Sequence, residues 1–567
     1  MNKQSAKPIS LEQITNVLHV DDPKAELARL RTYTLWQMLN ASAARDPSHF
    51  ALIGADDQGE ICRMTYGELL VRIRDFSAGL ASIGVRRGDR VILWMTNTFE
   101  WVISAFAIMR IGALVVPVNT FLKPPEIKYF ITQSGARHLV MIDGFRALKM
   151  PELLAEICPE VKTAKNPGSL YSSEAPELRN VVLFSRSGGK LDCSYDFAAL
   201  ASEASAEDYA LADRMESETR GEDLCMVKYT SGSTAFPKGV LAQQGAIIAN
   251  AVLHSRRMGV NGYDKYFSMM PFFHSGGIIY GMMTMFVNGG TLIFTEAFNA
   301  ERAAEMVVSE QATIFVTMLH EEVIQAALAK GLTFSSVRVG SVTDPAAKKV
   351  MPNVDCCWHA FGLTETYGPI SLSRFLPGEE LIVKNGRLLD GNEARIVDVE
   401  TGEDLPAGAR GELLMRGNVT PGYWNKPVET AKAFTQDGWF RTEDLCSIDA
   451  DGYLTWHGRL KLMLKIGGEN VSIEEVERVV ITHESVAACC AAGIPDKRKG
   501  EAIRLYVQTL PGNILSVEEL LVFLKARLAI FKIPREIVFV EALPLLGSGK
   551  IDRVTLGKWA KEELTTA

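Results

Sequence analysis

The chain is predicted to fold as an α/β protein with more than one domain. Short apolar runs of strand length alternate with segments of helical period through residues 34–142, the pattern of a parallel sheet with helices on its faces. At 567 residues the chain also exceeds what one hydrophobic core fills. Its 47% hydrophobic and 23% charged residues are ordinary for a globular enzyme.

Taken in order, residues 34–44 are apolar at helical spacing and lead into a strand at 50–53. Thr65 and Tyr66 open a helix at 69–80, followed by a strand at 91–95 and a helix at 100–111. Residues 114–118 read as a buried strand, 126–132 as a helix and 138–142 as a strand. The stretch 163–222 is polar and poorly patterned, and most of it reads as a surface excursion. A strand at 224–227, a long helix at 244–258 and buried strands at 312–319 and 337–339 follow. Residues 411–426 read as strands and turns of a small β subdomain. Ser472 with Glu474 and Glu475 has the cap and acidic first turn of a helix. Strands at 486–494 and 502–508 and a helix at 517–528 complete the pattern, which contains no internal repeat.

A net charge of −8 supplies no basic stripe for nucleic acid. The nine cysteines include two adjacent pairs and no C-x-x-C, which suits a reducing cytoplasm better than a disulfide framework or a zinc site. Residues 1–10 lack the apolar core of a signal peptide. The apolar stretch 101–118 contains Arg110, and 274–294 is broken by five glycines, so both are expected in the core and no transmembrane segment is predicted. Loose attachment to a bilayer surface stays compatible with this reading.

The most informative stretch is Tyr229-Thr230-Ser231-Gly232-Ser233-Thr234-Ala235-Phe236-Pro237-Lys238-Gly239-Val240. Small side chains expose backbone N–H groups to anionic oxygens, and the hydroxyls and Lys238 add donors. It differs from the common nucleotide-hydrolase loop because Gly239, not Ser or Thr, follows Lys238. A second stretch, Phe361-Gly362-Leu363-Thr364-Glu365-Thr366-Tyr367-Gly368, combines a ring that can stack on a purine, a hydroxyl for phosphate and a carboxylate for magnesium.

Both stretches, with three others in the same order, resemble the motifs of adenylate-forming enzymes: acyl-CoA synthetases, peptide-synthetase adenylation domains and beetle luciferases. The resemblance covers nearly the whole chain. It implies a large N-terminal domain of mixed and parallel sheets flanked by helices, with a β subdomain (1–458). A hinge (459–462) and a small mobile α+β C-terminal lid domain (463–567) would follow. By resemblance, Thr230, Ser231, Gly232, Ser233, Thr234 and Lys238 meet the ATP phosphates, and Gly340 and Ser341 form a turn against adenine, though the match there is partial. Phe361 and Gly362 lie at the adenine, Thr364 at the α-phosphate, and Glu365 at Mg2+. Asp444 and Arg459 are expected at the ribose. His274, Gly276 and Gly277 are expected in the acyl pocket, the glycines making room. Lys465, Gly467, Gly468 and Glu469 match a turn near CoA, and Lys550, on a Gly-Ser-Gly turn, matches the terminal catalytic lysine.

Three residues depart from the family pattern: Ala235 and Glu443 replace glycines, and Leu462 stands where relatives carry Asp or Lys at the hinge. The implied chemistry is attack of a carboxylate on the α-phosphorus of MgATP, giving acyl-AMP and pyrophosphate, then displacement of AMP by CoA. The apolar content with Gly276, Gly277 and Gly281 favours a medium- or long-chain or bulky apolar acid over acetate, and no basic residue is apparent for a second carboxylate. Alternatives are loading of a separate carrier protein, a nucleotide-binding regulator or single-half-reaction enzyme suggested by Ala235, Glu443 and Leu462, or an oxygen-using luciferase, for which nothing specific speaks. A homodimer is compatible with the sequence.

Overall fold

The computed structural model describes residues 21–230, 237–316, 320–342, 345–355, 357–375, 385–399, 401–460, 463–545 and 551–562. The chain forms two compact units: one of 1–120, 131–228 and 240–458, the other of 121–130, 229–239 and 459–567.

The first unit is built on two largely parallel sheets. A seven-stranded sheet runs in the order Lys238–Gln243, Leu224–Thr230, Leu114–Pro117, Arg90–Trp94, His138–Ile142, Asn180–Phe184 and Ser194–Asp196. Its pairs from Leu224–Thr230 outward to Ser194–Asp196 are parallel. A six-stranded sheet orders Val339–Gly340, Ile314–Phe315, Lys265–Ser268, Thr291–Thr295, Phe50–Ala55 and Ile61–Thr65. It is parallel except for the terminal hairpin, where Ile61–Thr65 runs against Phe50–Ala55. Two helices of this unit start at hydroxyl caps. Thr34 caps Leu35–Arg45 and Thr65 caps Tyr66–Ser82, each closing a capping box, with Gln37 and Glu68 respectively.

Two smaller antiparallel sheets complete this unit. Cys357–Leu363, Gly368–Phe375 and Arg387–Leu388 form one; Glu393–Val397, Gly411–Arg416, Phe440–Ile448 and Leu454–Arg459 form the other. The second unit has its own sheet, in which Glu469–Ser472, Met463–Ile466, Gly500–Thr509 and Val486–Asp496 are antiparallel and Glu536–Phe539 adds in parallel. Helices Ile473–Val480 and Val517–Lys525 pack on it around Val476, Val480, Leu520 and Leu524.

The stretch 163–222 departs from the sequence expectation. Asn180–Phe184 is a strand inside the seven-stranded sheet, Ser194–Asp196 extends that sheet, and Ala206–Glu218 is a helix. The strand's apolar run is short, and the helix buries only Ala212 and Met215, so neither carries a strong period. An ion pair secures the helix instead: Asp213 accepts from Arg74 at 2.8 Å and from the buried Arg110. The same pair explains how Arg110 sits at the end of the buried helix Phe99–Arg110. The expected strand at 312–319 shortens to Ile314–Phe315, and residues 317–319 lie outside the described residues. Among the described residues no helix is long and apolar enough to cross a membrane.

Candidate active site

The strand Leu224–Thr230 delivers Thr230, and the chain is next described at Pro237, just before the strand Lys238–Gln243. Ser231, Gly232, Ser233, Thr234 and Ala235 lie outside the described residues. Both flanks of this loop are anchored in the second unit. The Tyr229 ring stacks on Phe130 with centroids 4.3 Å apart, and the Tyr129 hydroxyl donates to the Pro237 carbonyl at 3.0 Å.

Thr364 and Glu365 occupy a single 3-10 turn, Thr364–Thr366, between the strands Cys357–Leu363 and Gly368–Phe375. The turn is tight for a steric reason. A Cβ on Gly362 would lie 2.1 Å from the Gly368 carbonyl oxygen, so only glycine permits this approach. Thr366 Oγ1 accepts from the Leu363 N–H at 2.9 Å and donates to the Gly368 carbonyl at 2.8 Å. From behind, Asn250 Nδ2 donates to the carbonyls of Thr366 (3.1 Å) and Pro369 (2.6 Å).

Glu365 is braced by a segment to which the sequence reading assigned no chemistry. The Tyr423 hydroxyl donates to Glu365 Oε1 at 3.1 Å, and the Thr420 N–H donates to the Glu365 carbonyl at 2.7 Å. That segment is itself tied to the strand leaving the phosphate loop. Leu241 N–H donates to Gly422 at 3.0 Å, Thr420 Oγ1 donates to Leu241 at 2.8 Å, and Val240 pairs with Tyr423. The only advance signal was the run Gly422-Tyr423-Trp424-Asn425-Lys426, which read as structural. Among the described residues no group of three or more His, Cys, Asp or Glu could form a metal cage. A magnesium ion that arrives with a nucleotide uses one or two carboxylates plus phosphates, and Glu365 fits that donor set.

The Phe361 ring is 8% exposed and packs among Ile370, Ile396, Leu413, Met415 and Phe440. Gly340 ends the edge strand Val339–Gly340, with Ser341 half-buried after it; Thr343 lies outside the described residues. Asp444 is buried on the strand Phe440–Ile448. Trp456 Nε1 donates to its Oδ1 at 2.9 Å, a partner the sequence did not suggest. The strand bulges here: Glu412 pairs with Leu445, while Leu414 pairs with Arg441. Glu443 sits in the bulge at φ 58°. That left-handed conformation is why a glycine suits the position, and Glu443 holds it at a steric cost of about 1–2 kcal/mol.

His274 N–H donates to the Pro271 carbonyl at 3.0 Å, closing the turn that precedes Gly276–Met283. That segment is a π-helix, a rare form that is frequent at functional sites. The expectation that the glycines here make room is corrected at Gly277. A Cβ there would lie 2.2 Å from the Pro271 carbonyl oxygen, so the space is taken by backbone packing rather than left open. At Gly276 it would meet the flexible end of Met270 at 2.1 Å. Just before, Lys228 Nζ donates to Ser275 Oγ at 2.5 Å. Behind the π-helix, the buried His254 lies between Asn250 Oδ1 (3.1 Å) and Thr284 Oγ1 (2.7 Å). Burial pushes its pKa down to about 3, so the ring is neutral. With Asn250 Nδ2 committed to two carbonyls, Oδ1 must accept, which places the His254 proton on Nδ1.

In the second unit, Gly467 and Gly468 form a two-residue turn between the paired Ile466 and Glu469. Their φ values of 57° and 86° fit the left-handed hairpin turn that favours glycine. Gly467 N–H donates to the Lys499 carbonyl at 2.9 Å and Lys465 N–H to Glu501 at 2.5 Å. Arg459 ends the strand Leu454–Arg459. Leu462 and Lys550 lie outside the described residues, the latter between Leu545 and Ile551, which pair with each other.

Comparison with known proteins yields two family matches: residues 39–424 match the AMP-binding enzyme model and 475–550 the AMP-binding enzyme C-terminal domain. Similar relatives include the putative acyl-CoA synthetase YngI of Bacillus subtilis, 30% identical over 94% of this chain and 97% of the relative. The mitochondrial medium-chain acyl-CoA ligase ACSF2 of Danio rerio is 29% identical over 98% of this chain and 95% of that one. Among solved structures, the amide bond synthetase McbA from Marinactinospora thermotolerans shares the fold. Its TM-score is 0.75 at 24% identity, covering 93% of this chain and 99% of that one.

Proposed function

Because this chain belongs to the family of AMP-binding enzymes, we propose that it is an acyl-CoA ligase that activates a medium- or long-chain or bulky apolar carboxylic acid as acyl-AMP, releases pyrophosphate and passes the acyl group to CoA. The observation that carries this is the Thr364–Glu365 turn, held by Gly362 and Asn250 and braced by the Tyr423 hydroxyl on Glu365. A carboxylate already fixed in place can hold a cation beside the phosphates at no cost in reorganisation when charge develops. The relatives' names favour a chain of medium length.

In this reading Lys238 and the hydroxyls of Thr230, Ser231, Ser233 and Thr234, with the Gly232 backbone, neutralise the β- and γ-phosphates. Phe361 and the Gly340–Ser341 turn border the adenine; Asp444 and Arg459 hold the ribose. Glu365 would hold Mg2+, which when bound offsets charge on the polyphosphate. Thr364 donates to an α-phosphate oxygen, and Lys550 bridges that oxygen and the attacking carboxylate. A carboxylate is a poor acyl donor because oxide leaves badly, whereas AMP leaves well, so the adenylate must be kept from water. The hinge 459–462 would then turn the lid 463–567, withdrawing Lys550. The Gly467-Gly468 turn, with Lys465 and Glu469, would take its place beside CoA.

The test measures pyrophosphate release and thioester formation in parallel over acids from acetate to long-chain and polycyclic carboxylates. Both signals with one class of acid support the proposal, and neither with any acid sinks it. Pyrophosphate without thioester would point to a carrier-protein acceptor or a single half-reaction. Lys550→Ala should lose at least about a hundredfold in adenylate formation while still using ready-made acyl-AMP.

A further inference from the structure

The wall expected for the acyl pocket and the Thr364 turn are joined by a chain of buried hydrogen bonds. His254, buried on the helix Gln244–Met258, stacks on Tyr280 of the π-helix Gly276–Met283 with ring centroids 5.8 Å apart. With the proton on Nδ1, its Nε2 accepts from Thr284 Oγ1 at 2.7 Å, where the π-helix passes into the helix Thr284–Asn288. Nδ1 donates to Asn250 Oδ1 at 3.1 Å, and Asn250 Nδ2 donates in turn to the carbonyls of Thr366 and Pro369. A second contact runs beside the first. A Cβ on Gly368 would lie 3.0 Å from both Ile279 Cγ2 and Asn250 Oδ1, so glycine there lets the π-helix and the turn meet.

The Thr284 hydroxyl has one proton and two acceptors, His254 Nε2 at 2.7 Å and the Ile279 carbonyl at 3.3 Å. The first bond ties the π-helix to the Thr364 turn; the second stays within the helix. Packed interiors have discrete arrangements and do not deform continuously, so a small displacement of the π-helix selects between the two. A ligand shifts such a choice by as much as its affinity for the two arrangements differs.

We propose that Thr284 and His254 are positioning residues that couple the two substrate sites. A carboxylic acid seated against the π-helix fixes the Thr284–His254 bond, and through Asn250 this holds Thr364 and Glu365 in place for MgATP. By linkage, MgATP prepares the acyl wall for the acid to the same extent. The coupling serves the reaction, because ATP held productively with no acid present can lose pyrophosphate to water. This rests on the acyl-ligase reading and on 274–277 being an acyl-pocket wall.

Calorimetry on the full chain measures its affinity for the magnesium complex of α,β-methylene-ATP, which cannot release pyrophosphate. Each titration is run without acid and with saturating decanoate, or with the acid of the panel that is turned over better. In the wild type the acid should tighten nucleotide binding by about fivefold or more. Thr284→Val, which keeps the branched shape and removes the hydroxyl, should bring that gain below about twofold. Thr284→Ser, which keeps the hydroxyl, should restore it. A merely structural role would weaken both affinities together and leave their ratio at the wild-type value. Two results overturn the proposal: no gain in the wild type, or an equal gain in Thr284→Val. Should Thr284→Val fail to fold, Thr284→Ala removes the same hydroxyl and decides in its place. Failure to release pyrophosphate from ATP with any acid would instead sink the ligase reading.

Discussion

Glu365 illustrates how much of a site depends on atoms that motifs do not name. Its identity is legible in Thr364-Glu365, but its orientation comes from the Tyr423 hydroxyl, 58 residues away in sequence. A hydrogen bond to a charged group contributes about 1.5–3 kcal/mol. Tyr423→Phe should therefore lower kcat/KM for MgATP by about tenfold or more, and the melting temperature should fall by a few degrees with it. Equal kinetics in the two proteins would show that Glu365 needs no brace. Glu443 shows the reverse relation. Its departure from the family pattern was visible in sequence, and the bulge at φ 58° supplies the backbone reason.

At the scale of elements, the polar link between helix Gln244–Met258, the π-helix and the Thr364 turn is the feature that sequence patterning did not reveal. The helix itself was anticipated over its full length, because its apolar period is regular. Asn250 and His254 on it looked like any polar residues of a long helix, yet they join Thr366, Pro369 and Thr284. The neutral His254 has a definite consequence for stability. Its folded pKa of about 3 lies below the ordinary value of 6.5, so the unfolded chain binds more protons between those values. Stability is full above the unfolded pKa and falls as pH drops toward the folded one, by about 1.4 kcal/mol per unit. Melting curves from pH 7 to pH 5 should show this loss, and His254→Gln should flatten that limb. An unchanged acid limb in the variant would mean that His254 titrates normally.

For the whole molecule, the division into two units sets what each half contributes, and the proposal needs a hinge whose backbone turns freely. Leu462 is the departure that bears on it. Leu462→Asp should change the rate of thioester formation from acyl-AMP by about tenfold and leave adenylation within about twofold, since a hinge acts on the step that follows domain rotation. Single-turnover assays of each half-reaction separate the two. An effect on adenylation alone would remove Leu462 from the hinge.

The sequence by itself determined the α/β class, the order of the main strands and helices, and the residue types able to handle phosphate, purine and carboxylate. Period, caps and glycine patterns are local, and local physics suffices to read them. Only the tertiary structure decided that 180–184 is a strand inside the seven-stranded sheet, that Gly277 is filled by Pro271 backbone, and that Tyr423 and Trp456 orient Glu365 and Asp444. It also decided that Lys228 ends at Ser275. These are contacts between residues distant in the chain, where direction and distance, not composition, set what a polar atom does.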